Sequence, residues 1–544
     1  MCPLPDTSRS WSERTWAVLT ALVSLGTLAF GLLWGTFVAG GSDSYCYVGG
    51  AELWARGALL APQPVGFVPP WPNAALTLAP TGFLPSDTIP GAIAPICPPG
   101  LSLTMALLWR LAGPSAVYLV VPALGALAVW LTFLLARDLD DPLSGFLAAV
   151  LVATSPIMLF QVLQPMSDVP ATAWWLAALV LAAKPGVGPL VGAGLATSAA
   201  ILTRPNLAPL GLAVLVFVAV RPRLPGAIMG SLGRSVALVV GVLPGVAALS
   251  WIQFALYGSP FRSGYGNPEQ LFSLAHVWPN LQRYPRWLLE THTPLLCLAL
   301  AAPFVIRARA RGAGSAGGNP AFRLSVACLA LAALVFAGYL VYVPFDEWWY
   351  IRFLLPAIPL LAALSVTTLT AIASRLRPTW RAWASLAVVL AVVVFNVRTA
   401  GDRGLLAFQE SEQRFVESGS YIASRLPGRA VVLTTWESGS VRFYGRRLSI
   451  MWDSLDPGWL DRAVSFLQRE GRPPYFLFEP AEEQQFRDRF AQASKYGALD
   501  WPPMAQLPFG VRLYNPADRD RYLAGESVST ERVWPGRKIA GSKQ

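Results

Sequence analysis

Long apolar segments alternate with short polar loops along the first 400 residues of the chain. Eleven of these segments approach or exceed the length that a helix needs to cross about 30 Å of hydrocarbon. They cover residues 16–39, 115–136, 143–163, 169–184, 186–203, 206–220, 235–256, 287–306, 323–343, 351–374 and 382–400. The pattern predicts a polytopic α-helical membrane protein with about 11 transmembrane helices.

Charge divides the chain into two parts. The protein is 54% hydrophobic and 13% charged, whereas soluble globular proteins are about 25% charged. The charged residues are concentrated at one end, because 38 of them lie within residues 401–544. We therefore expect a transmembrane domain at 1–400 and a soluble domain at 401–544.

Residues 401–544 have the pattern of an α/β domain. The predicted strands are 430–435, 447–452, 474–479 and 511–514, and the predicted helices are 460–471 and 482–493. Strands that alternate with helices predict a small, mostly parallel sheet. No glycine-rich phosphate-binding sequence follows these strands, so a nucleotide site is not predicted.

Basic residues predict the orientation in the membrane. The N-terminal apolar run is too long for a signal-peptide core, so we interpret it as an uncleaved first helix. Twelve Arg and Lys residues fall in alternate loops, which places those loops and the N-terminus in the cytoplasm. They are Arg137, Lys184, Arg221, Arg223, Arg234, Arg307, Arg309, Arg311, Arg323, Arg375, Arg377 and Arg381. With eleven spans, residues 401–544 and the loops 40–114, 257–286 and 344–350 are extracytoplasmic.

The predicted outer loop 40–114 is unusually rich in proline. Eleven prolines lie between Pro62 and Pro99, a density that excludes a helix or a central strand. Residues 100–112 are apolar but too short to span, and they predict an interfacial helix. Such a long, irregular loop suggests a lid or a cavity wall.

Two function classes are disfavoured by composition. The net charge of +11 comes largely from short loops between apolar segments, and no basic patch interleaved with aromatic residues is found, so we expect no nucleic-acid partner. The chain has two histidines and five cysteines without metal-ligand spacing. We therefore expect neither a bound metal nor another cofactor.

Acidic residues beside apolar segments are the first candidates for chemistry, because charge near the membrane is costly. Asp43 follows the first span, and Asp168 precedes the fourth. One carboxylate could act as a general base and the other could orient a hydroxyl group. The alternative for each is a helix N-cap, and for Asp168 the following Val169-Pro170 favours it.

Basic and aromatic residues of two outer segments are candidates for binding an anion. Arg352 lies within the apolar sequence 349–361, where its guanidinium could clamp a phosphate. The alternative is an arginine that snorkels to the membrane surface. Arg262 and Tyr265 lie in a glycine-containing outer segment. Tyr45, Glu52, Asp346 and Glu347 are candidates for further substrate contacts.

Four features in this order resemble a known family. Asp43 is followed by Tyr45 or Tyr47, Ala51 and Arg56-Gly57. The sequence CPPGLSLTMALLWRLAG covers 97–113, Asp168 stands in a later outer loop, and WYIRFLLPAIPLL covers 349–361. The chain thereby resembles GT-C-fold glycosyltransferases that use polyprenyl-phosphate sugars, in particular bacterial protein O-mannosyltransferases and lipid A aminoarabinose transferases.

This resemblance implies a reaction and its partners. A hexosyl or pentosyl group would move from a polyprenyl-phosphate donor to a hydroxyl of a glycan, lipid or protein acceptor, on the extracytoplasmic face of a bacterial inner membrane. The displacement would invert the anomeric carbon, with Asp43 as base and Arg352, Arg262 and Tyr265 stabilising the leaving phosphate. Ser44 stands where protein mannosyltransferases have the Glu of an Asp-Glu pair, which weakens the case for a protein acceptor.

Two other functions remain open on the sequence. A polysaccharide polymerase or ligase also uses lipid-linked glycans. A lipid or glycan transporter would also bury charges among many helices, although it should have interrupted helices and an internal repeat. The long outer loop and the soluble outer domain favour an enzyme.

Cysteine positions allow one disulfide. Cys2 is predicted to be cytoplasmic, and Cys297 and Cys328 lie in spans. Cys46 and Cys97 lie near the two ends of the proline-rich loop, where an oxidising compartment would permit a bridge. Free, partly buried thiols are the alternative, because spacing alone does not bring two Cα atoms within bonding range.

Overall fold

The structure is a computed structural model that describes residues 7–63, 68–221, 230–266, 268–312 and 319–534. Cys2, Arg223 and the basic end of the chain after 534 lie outside the described residues. The helices of the first 402 residues are α1 (Thr7–Trp34), α2 (Asp43–Ala55), α3 (Ala74–Leu78), α4 (Pro99–Ala112), α5 (Val120–Leu139), α6 (Pro142–Thr154), α7 (Pro156–Val162), α8 (Asp168–Ala183), α9 (Val187–Thr203), α10 (Pro209–Ala219), α11 (Ser231–Tyr257), α12 (Pro268–Leu271), α13 (Val277–His292), α14 (Ala302–Gly312), α15 (Pro320–Leu340), α16 (Ile358–Ala373) and α17 (Pro378–Asp402).

Helices occupy all the predicted apolar segments. Within the described residues, five helices are long and apolar enough to cross a membrane, or up to eight if each of three bent helix pairs forms one span. Three shorter apolar helices, Asp168–Ala183, Val187–Thr203 and Pro205–Ala219, match the other three segments. The chain is a membrane protein by this measure, and the number of eleven spans stays a prediction.

Three of the predicted segments are broken rather than continuous. Segment 143–163 bends by 62° between α6 and α7, and segment 287–306 bends by 105° after α13. Segment 351–374 bends by 81° between the 3-10 helix Trp348–Leu354 and α16. The first two breaks come immediately before Pro156 and Pro294, because proline lacks the N–H that a continuous helix needs.

The proline-rich loop contains more regular structure than its composition predicts. Its strands β1 (Ala61–Pro62), β2 (Phe83–Pro85) and β3 (Ala92–Pro95) form an antiparallel sheet in the order β1-β3-β2. The prediction that proline excludes a helix or a central strand was wrong here, because α3 lies within the same stretch and β3 is a central strand. Each strand ends in proline, where a missing N–H interrupts the ladder least. The predicted helix at 100–112 is confirmed as α4, which packs against α2.

The C-terminal part begins with α18 (Phe408–Arg425) and continues with β4 (Val431–Leu433), α19 (Ser438–Phe443), β5 (Leu448–Ile450), α20 (Leu460–Arg469), β6 (Pro474–Phe478), α21 (Pro480–Phe490), β7 (Ala505–Gln506), β8 (Arg512–Tyr514), α22 (Ala517–Leu523) and β9 (Glu531–Arg532). The four predicted strands and two predicted helices are confirmed within a few residues. The six-stranded sheet has the order β5-β4-β6-β8-β7-β9. It is mixed, because β8 runs antiparallel to both β6 and β7.

The C-terminal part packs tightly on the segment that precedes α2. The backbone N–H of Ala39 donates to the hydroxyl of Tyr444 at 2.8 Å, and the amide of Gln413 donates to the carbonyl of Thr36 at 3.2 Å. Gly40 has no room for a side chain, because a Cβ there would overlap the ring of Phe415. The α/β part therefore fixes the backbone that leads into Asp43.

Candidate functional site

A cavity of about 910 Å³ lies where α2, α7, α8, the end of α9, the 3-10 helix Trp348–Leu354 and α18 meet. Its charged and polar lining includes Asp43, Gln161, Gln164, Asp168, Arg204, Arg352, Arg403, Glu412 and Arg414. Its aromatic and aliphatic lining includes Tyr47, Phe160, Ile252, Leu256, Tyr265, Phe272, Tyr339, Tyr342, Trp348, Trp349, Tyr350 and Phe408. The cavity thus combines apolar walls with a small number of charged groups, as ligand sites do.

Asp43 faces this cavity as the first residue of α2. Ser42 occupies the N-cap position, so the interpretation of Asp43 as the cap was wrong. Its Oδ2 accepts a hydrogen bond from Nη2 of Arg352 at 2.8 Å. The Asp43 side chain is 37% exposed, and that of Arg352 is 13% exposed. The carboxylate of Asp43 is therefore partly accessible from the cavity while it is bound by the guanidinium of Arg352.

Asp168 is completely buried at the start of α8. Ser167 is the N-cap residue, so the cap interpretation was wrong at this position as well. Oδ1 of Asp168 accepts from Nη2 of Arg204 at 2.6 Å, and Oδ2 lies 4.0 Å from Nη1 of Arg352. Both predicted acidic residues are thus brought to one arginine, although they belong to helices far apart in the sequence.

Arg204 is a site residue that sequence reasoning missed. It stands between α9 and α10, between the predicted apolar segments 186–203 and 206–220. Besides Asp168, it donates to the hydroxyls of Ser167 at 3.2 Å and Tyr339 at 2.8 Å. The hydroxyl of Tyr47 also donates to Ser167, at 2.8 Å. An Arg-Pro pair in a predicted outer loop between very apolar helices was the signal that could have identified it.

Arg352 lines the cavity, and only 13% of its side chain is exposed. Its guanidinium packs against the rings of Tyr350 and Phe353, at 5.3 and 5.2 Å from their centroids. Nη1 also lies 3.3 Å from the sulfur of Met166. Aromatic rings on the guanidinium face leave its edge for carboxylates or a bound anion.

Arg262 and Tyr265 are close in sequence but lie in different places, one at the surface and one in the cavity lining. Tyr265 lines the cavity. Arg262 is exposed and pairs with Asp87 at 3.2 Å, outside the cavity lining. The structure therefore does not bring Arg262 to the other predicted site residues, because its guanidinium pairs with an acidic partner in the proline-rich loop.

The four further candidates lie outside the cavity lining. Tyr45 packs on Phe83 and against Gly439 of α19, and burial raises its pKa to about 12. Glu52 forms ion pairs with Arg56 and Arg446. Asp346 and Glu347 are exposed. Asp346 pairs with Arg283, and Glu347 precedes the 3-10 helix. The structure does not bring these four residues to the cavity, and substrate contacts by them stay a prediction.

Helix α18 supplies a wall of the cavity that the sequence did not predict. Phe408, Glu412 and Arg414 line it. Arg414 pairs with Glu412 at 3.0 Å and with Glu479 at 3.2 Å. Burial raises the pKa of Glu412 above its usual value, and the neighbouring Arg414 opposes this rise. The C-terminal part therefore contributes directly to the site.

Cys46 and Cys97 are joined by a disulfide, with their Cα atoms 6.1 Å apart. The bridge links α2, three residues after Asp43, to the residue before Pro98 and α4. The structure thus has the bridge rather than two free thiols. Among the described residues, no group of three or more His, Cys, Asp or Glu residues could hold a metal ion.

Comparison with known proteins identifies related folds. The family model described as dolichyl-phosphate-mannose-protein mannosyltransferase matches residues 97–251. The chain is similar to ArnT from Cupriavidus metallidurans in the apo state, with 16% identity and a TM-score of 0.54, covering 88% of this chain and 95% of ArnT. The ArnT structure bound to undecaprenyl phosphate matches at 15% identity and a TM-score of 0.53, with coverage of 88% and 95%.

A second similar structure is an archaeal oligosaccharyltransferase. The apo oligosaccharyltransferase of Archaeoglobus fulgidus matches at 12% identity and a TM-score of 0.53, covering 87% of this chain and 70% of that one. No curated protein sequence matches the chain. The predicted resemblance is confirmed at the level of fold, and the chain has the GT-C fold of membrane glycosyltransferases.

Proposed function

We propose that this protein is a membrane glycosyltransferase that moves a sugar from a polyprenyl-phosphate donor to an acceptor hydroxyl. The ion pair between Asp43 and Arg352 is the main support for the proposal. It places a carboxylate that can accept a proton beside a guanidinium that can bind an anion, in one cavity. The GT-C fold and the match of residues 97–251 to a dolichyl-phosphate-mannose-dependent family support it. One of the similar ArnT structures has undecaprenyl phosphate bound, which belongs to the same chemical class as the proposed donor.

The mechanism follows from the positions of three charged residues. Asp43 takes the proton of the acceptor hydroxyl while the hydroxyl oxygen forms a bond to the anomeric carbon. The bond from that carbon to the phosphate oxygen breaks, and its electron pair leaves with the polyprenyl phosphate. Arg352 and Arg204 stabilise the negative charge on this leaving group. Attack from the face opposite the phosphate inverts the anomeric carbon.

The lining of the cavity suits such a donor. Ile252, Leu256 and Phe272 are apolar residues of the same cavity lining as the charged groups. A prenyl chain can bury apolar surface there, at about 25 cal/mol per Å². Tyr265 also lines the cavity and has a hydroxyl that can donate a hydrogen bond. This arrangement gives Asp168 an orienting role, because its carboxylate lies between the two arginines.

The location follows from the basic loops. We place the site on the extracytoplasmic face of a bacterial inner membrane, with the N-terminus in the cytoplasm and the domain 401–544 outside. The twelve loop residues with positive charge support this orientation. A periplasm-dependent reporter fused after Val533 should be active, and activity of a cytoplasm-dependent reporter at that position would contradict the orientation.

The substitution Asp43→Asn tests the reaction. Asn fits the same space but cannot take the proton, so transfer should fall at least about 100-fold. Asp87→Asn is the matched control, because Asp87 is an exposed carboxylate outside the cavity. The measurement is mass analysis of lipid-linked sugars and envelope glycans in cells that carry each variant as the only copy. Normal glycans with Asp43→Asn would remove the assignment of the base.

A further inference from the structure

Four aromatic side chains form a continuous surface on the α18 side of the cavity, which we call the aromatic shelf: Phe160, Trp348, Trp349 and Phe408. The ring of Phe160 lies 5.5 Å from Trp348, 6.4 Å from Trp349 and 4.8 Å from Phe408, between centroids. All four line the cavity and are only partly buried. The rings come from α7, the 3-10 helix and α18, so the complete shelf exists only in the folded chain.

Polar groups border the aromatic shelf. Gln161 is 1% exposed and lines the cavity, and its Oε1 has no hydrogen-bond partner among the described residues. A buried carbonyl oxygen without a hydrogen-bond partner lowers the stability of the folded protein. A ligand that donates a hydrogen bond would remove this cost. Arg403, 4.5 Å from the Trp348 ring centroid, and Glu412 add further groups that can bond to hydroxyls.

These features distinguish between classes of acceptor. A sugar ring has an apolar C–H face and polar edges, which match an aromatic surface bordered by amide, carboxylate and guanidinium groups. An extended peptide is commonly bound by adding to the edge of a strand. None of the cavity-lining residues in the described part of the chain belongs to a strand. A lipid tail would bring no hydrogen-bond donor to Gln161.

We propose that the aromatic shelf binds the acceptor and that the acceptor is a saccharide, an inference that rests on the proposed glycosyl transfer. Gln161 accepts a hydrogen bond from one acceptor hydroxyl, and the rings of Trp348 and Trp349 contact the C–H face of the sugar. Trp349 precedes Arg352 by three residues in a 3-10 helix, in which side chains with this spacing eclipse. An acceptor on the shelf therefore lies beside the group that binds the donor phosphate.

Binding measurements on the purified full chain in detergent test this inference. The probes are mannohexaose and an arabinofuranose hexasaccharide, with a Ser/Thr-containing hexapeptide for comparison, each observed by saturation-transfer NMR. Trp348→Ala should weaken saccharide binding about tenfold, which corresponds to about 1.4 kcal/mol. Trp278→Ala is the matched control, because Trp278 is 66% exposed and lies outside the cavity lining. It should leave saccharide binding unchanged.

Gln161→Met separates a ligand role from a structural one. Met has a similar shape and removes the unsatisfied carbonyl, so the variant should be at least as resistant to thermal unfolding as the parent protein. Saccharide binding should nevertheless fall. Unchanged saccharide affinity in both Gln161→Met and Trp348→Ala would overturn the inference.

The parent protein gives the remaining outcomes. Binding of the peptide in place of the saccharides, or of none of these probes, would also overturn the inference. Binding of undecaprenyl phosphate is measured in the same preparations. If the saccharides do not bind but undecaprenyl phosphate binds in a manner that depends on Arg352, the proposed glycosyl transfer stands while the saccharide site fails. If undecaprenyl phosphate does not bind, the donor assignment itself fails.

Discussion

Arg352 and Asp43 are separated by 309 residues in the sequence, and the guanidinium of one donates to the carboxylate of the other at 2.8 Å. In this arrangement each of the two charges is paired with the other. A donor phosphate would compete for the same guanidinium, because phosphate oxygens accept its paired N–H groups at least as well as a carboxylate does. Binding of the donor would then free Asp43 to act as a base.

This competition predicts the effect of substituting Arg352. Arg352→Ala should weaken binding of undecaprenyl phosphate about 10- to 100-fold, because a charge-assisted hydrogen bond contributes about 1.5–3 kcal/mol. Arg352→Lys should restore only part of the affinity, since an ammonium group lacks the planar, two-pronged geometry. Arg262→Ala is the control, because that exposed arginine pairs with Asp87 outside the cavity. Equal affinities in all three variants would contradict the assignment of Arg352.

The buried ion pair of Asp168 and Arg204 predicts that substitutions of the two residues have non-additive effects on the free energy of unfolding. Substituting one partner, as in Asp168→Leu, leaves an unpaired buried charge and should cost about 3–5 kcal/mol. The double variant Asp168→Leu with Arg204→Met should cost less than the two single variants together. Thermal unfolding in detergent measures this double-mutant cycle. Additive losses would show that the two side chains do not stabilise each other.

The contact between Gly40 and Phe415 predicts that the C-terminal part influences catalysis. Gly40→Ala would push a methyl group into the Phe415 ring and displace the segment before Asp43. The turnover number should fall, while affinity for undecaprenyl phosphate changes little because Arg352 and Arg204 are not moved. Gly26→Ala is the control, since a Cβ there meets no atom within 4 Å apart from its own helix backbone and adjoining residues. Adding Phe415→Ala to Gly40→Ala should restore turnover.

The disulfide between Cys46 and Cys97 predicts a redox-dependent stability. The bridge closes a loop with a sequence separation of 51 residues, and in the chain-entropy model it contributes on the order of 4 kcal/mol. Cys46→Ser should therefore lower the unfolding temperature. Thiol labelling of the denatured, unreduced protein provides an independent measurement. Labelling of both residues without reductant would contradict the bridge.

Some parts of the fold followed from local pattern. The apolar segments, the helix α4 and four strands of the C-terminal sheet were predictable, because span length and side-chain periodicity are properties of neighbouring residues. The helix breaks at Pro156 and Pro294 were visible as prolines. Their angles were not, since the direction of a bend depends on what packs against each half.

The sequence by itself determined that the chain is a membrane protein of this fold, and it identified Asp43, Asp168 and Arg352 as charges in an apolar setting. Only the tertiary structure decided that Arg204 joins them and that Arg262 does not. It also decided that α18 completes the cavity. The physical reason is that hydrophobicity is a property of each single residue and can be read from the sequence. Ion pairs and cavity walls, in contrast, form between segments hundreds of residues apart. Those contacts depend on packing, which no local pattern encodes.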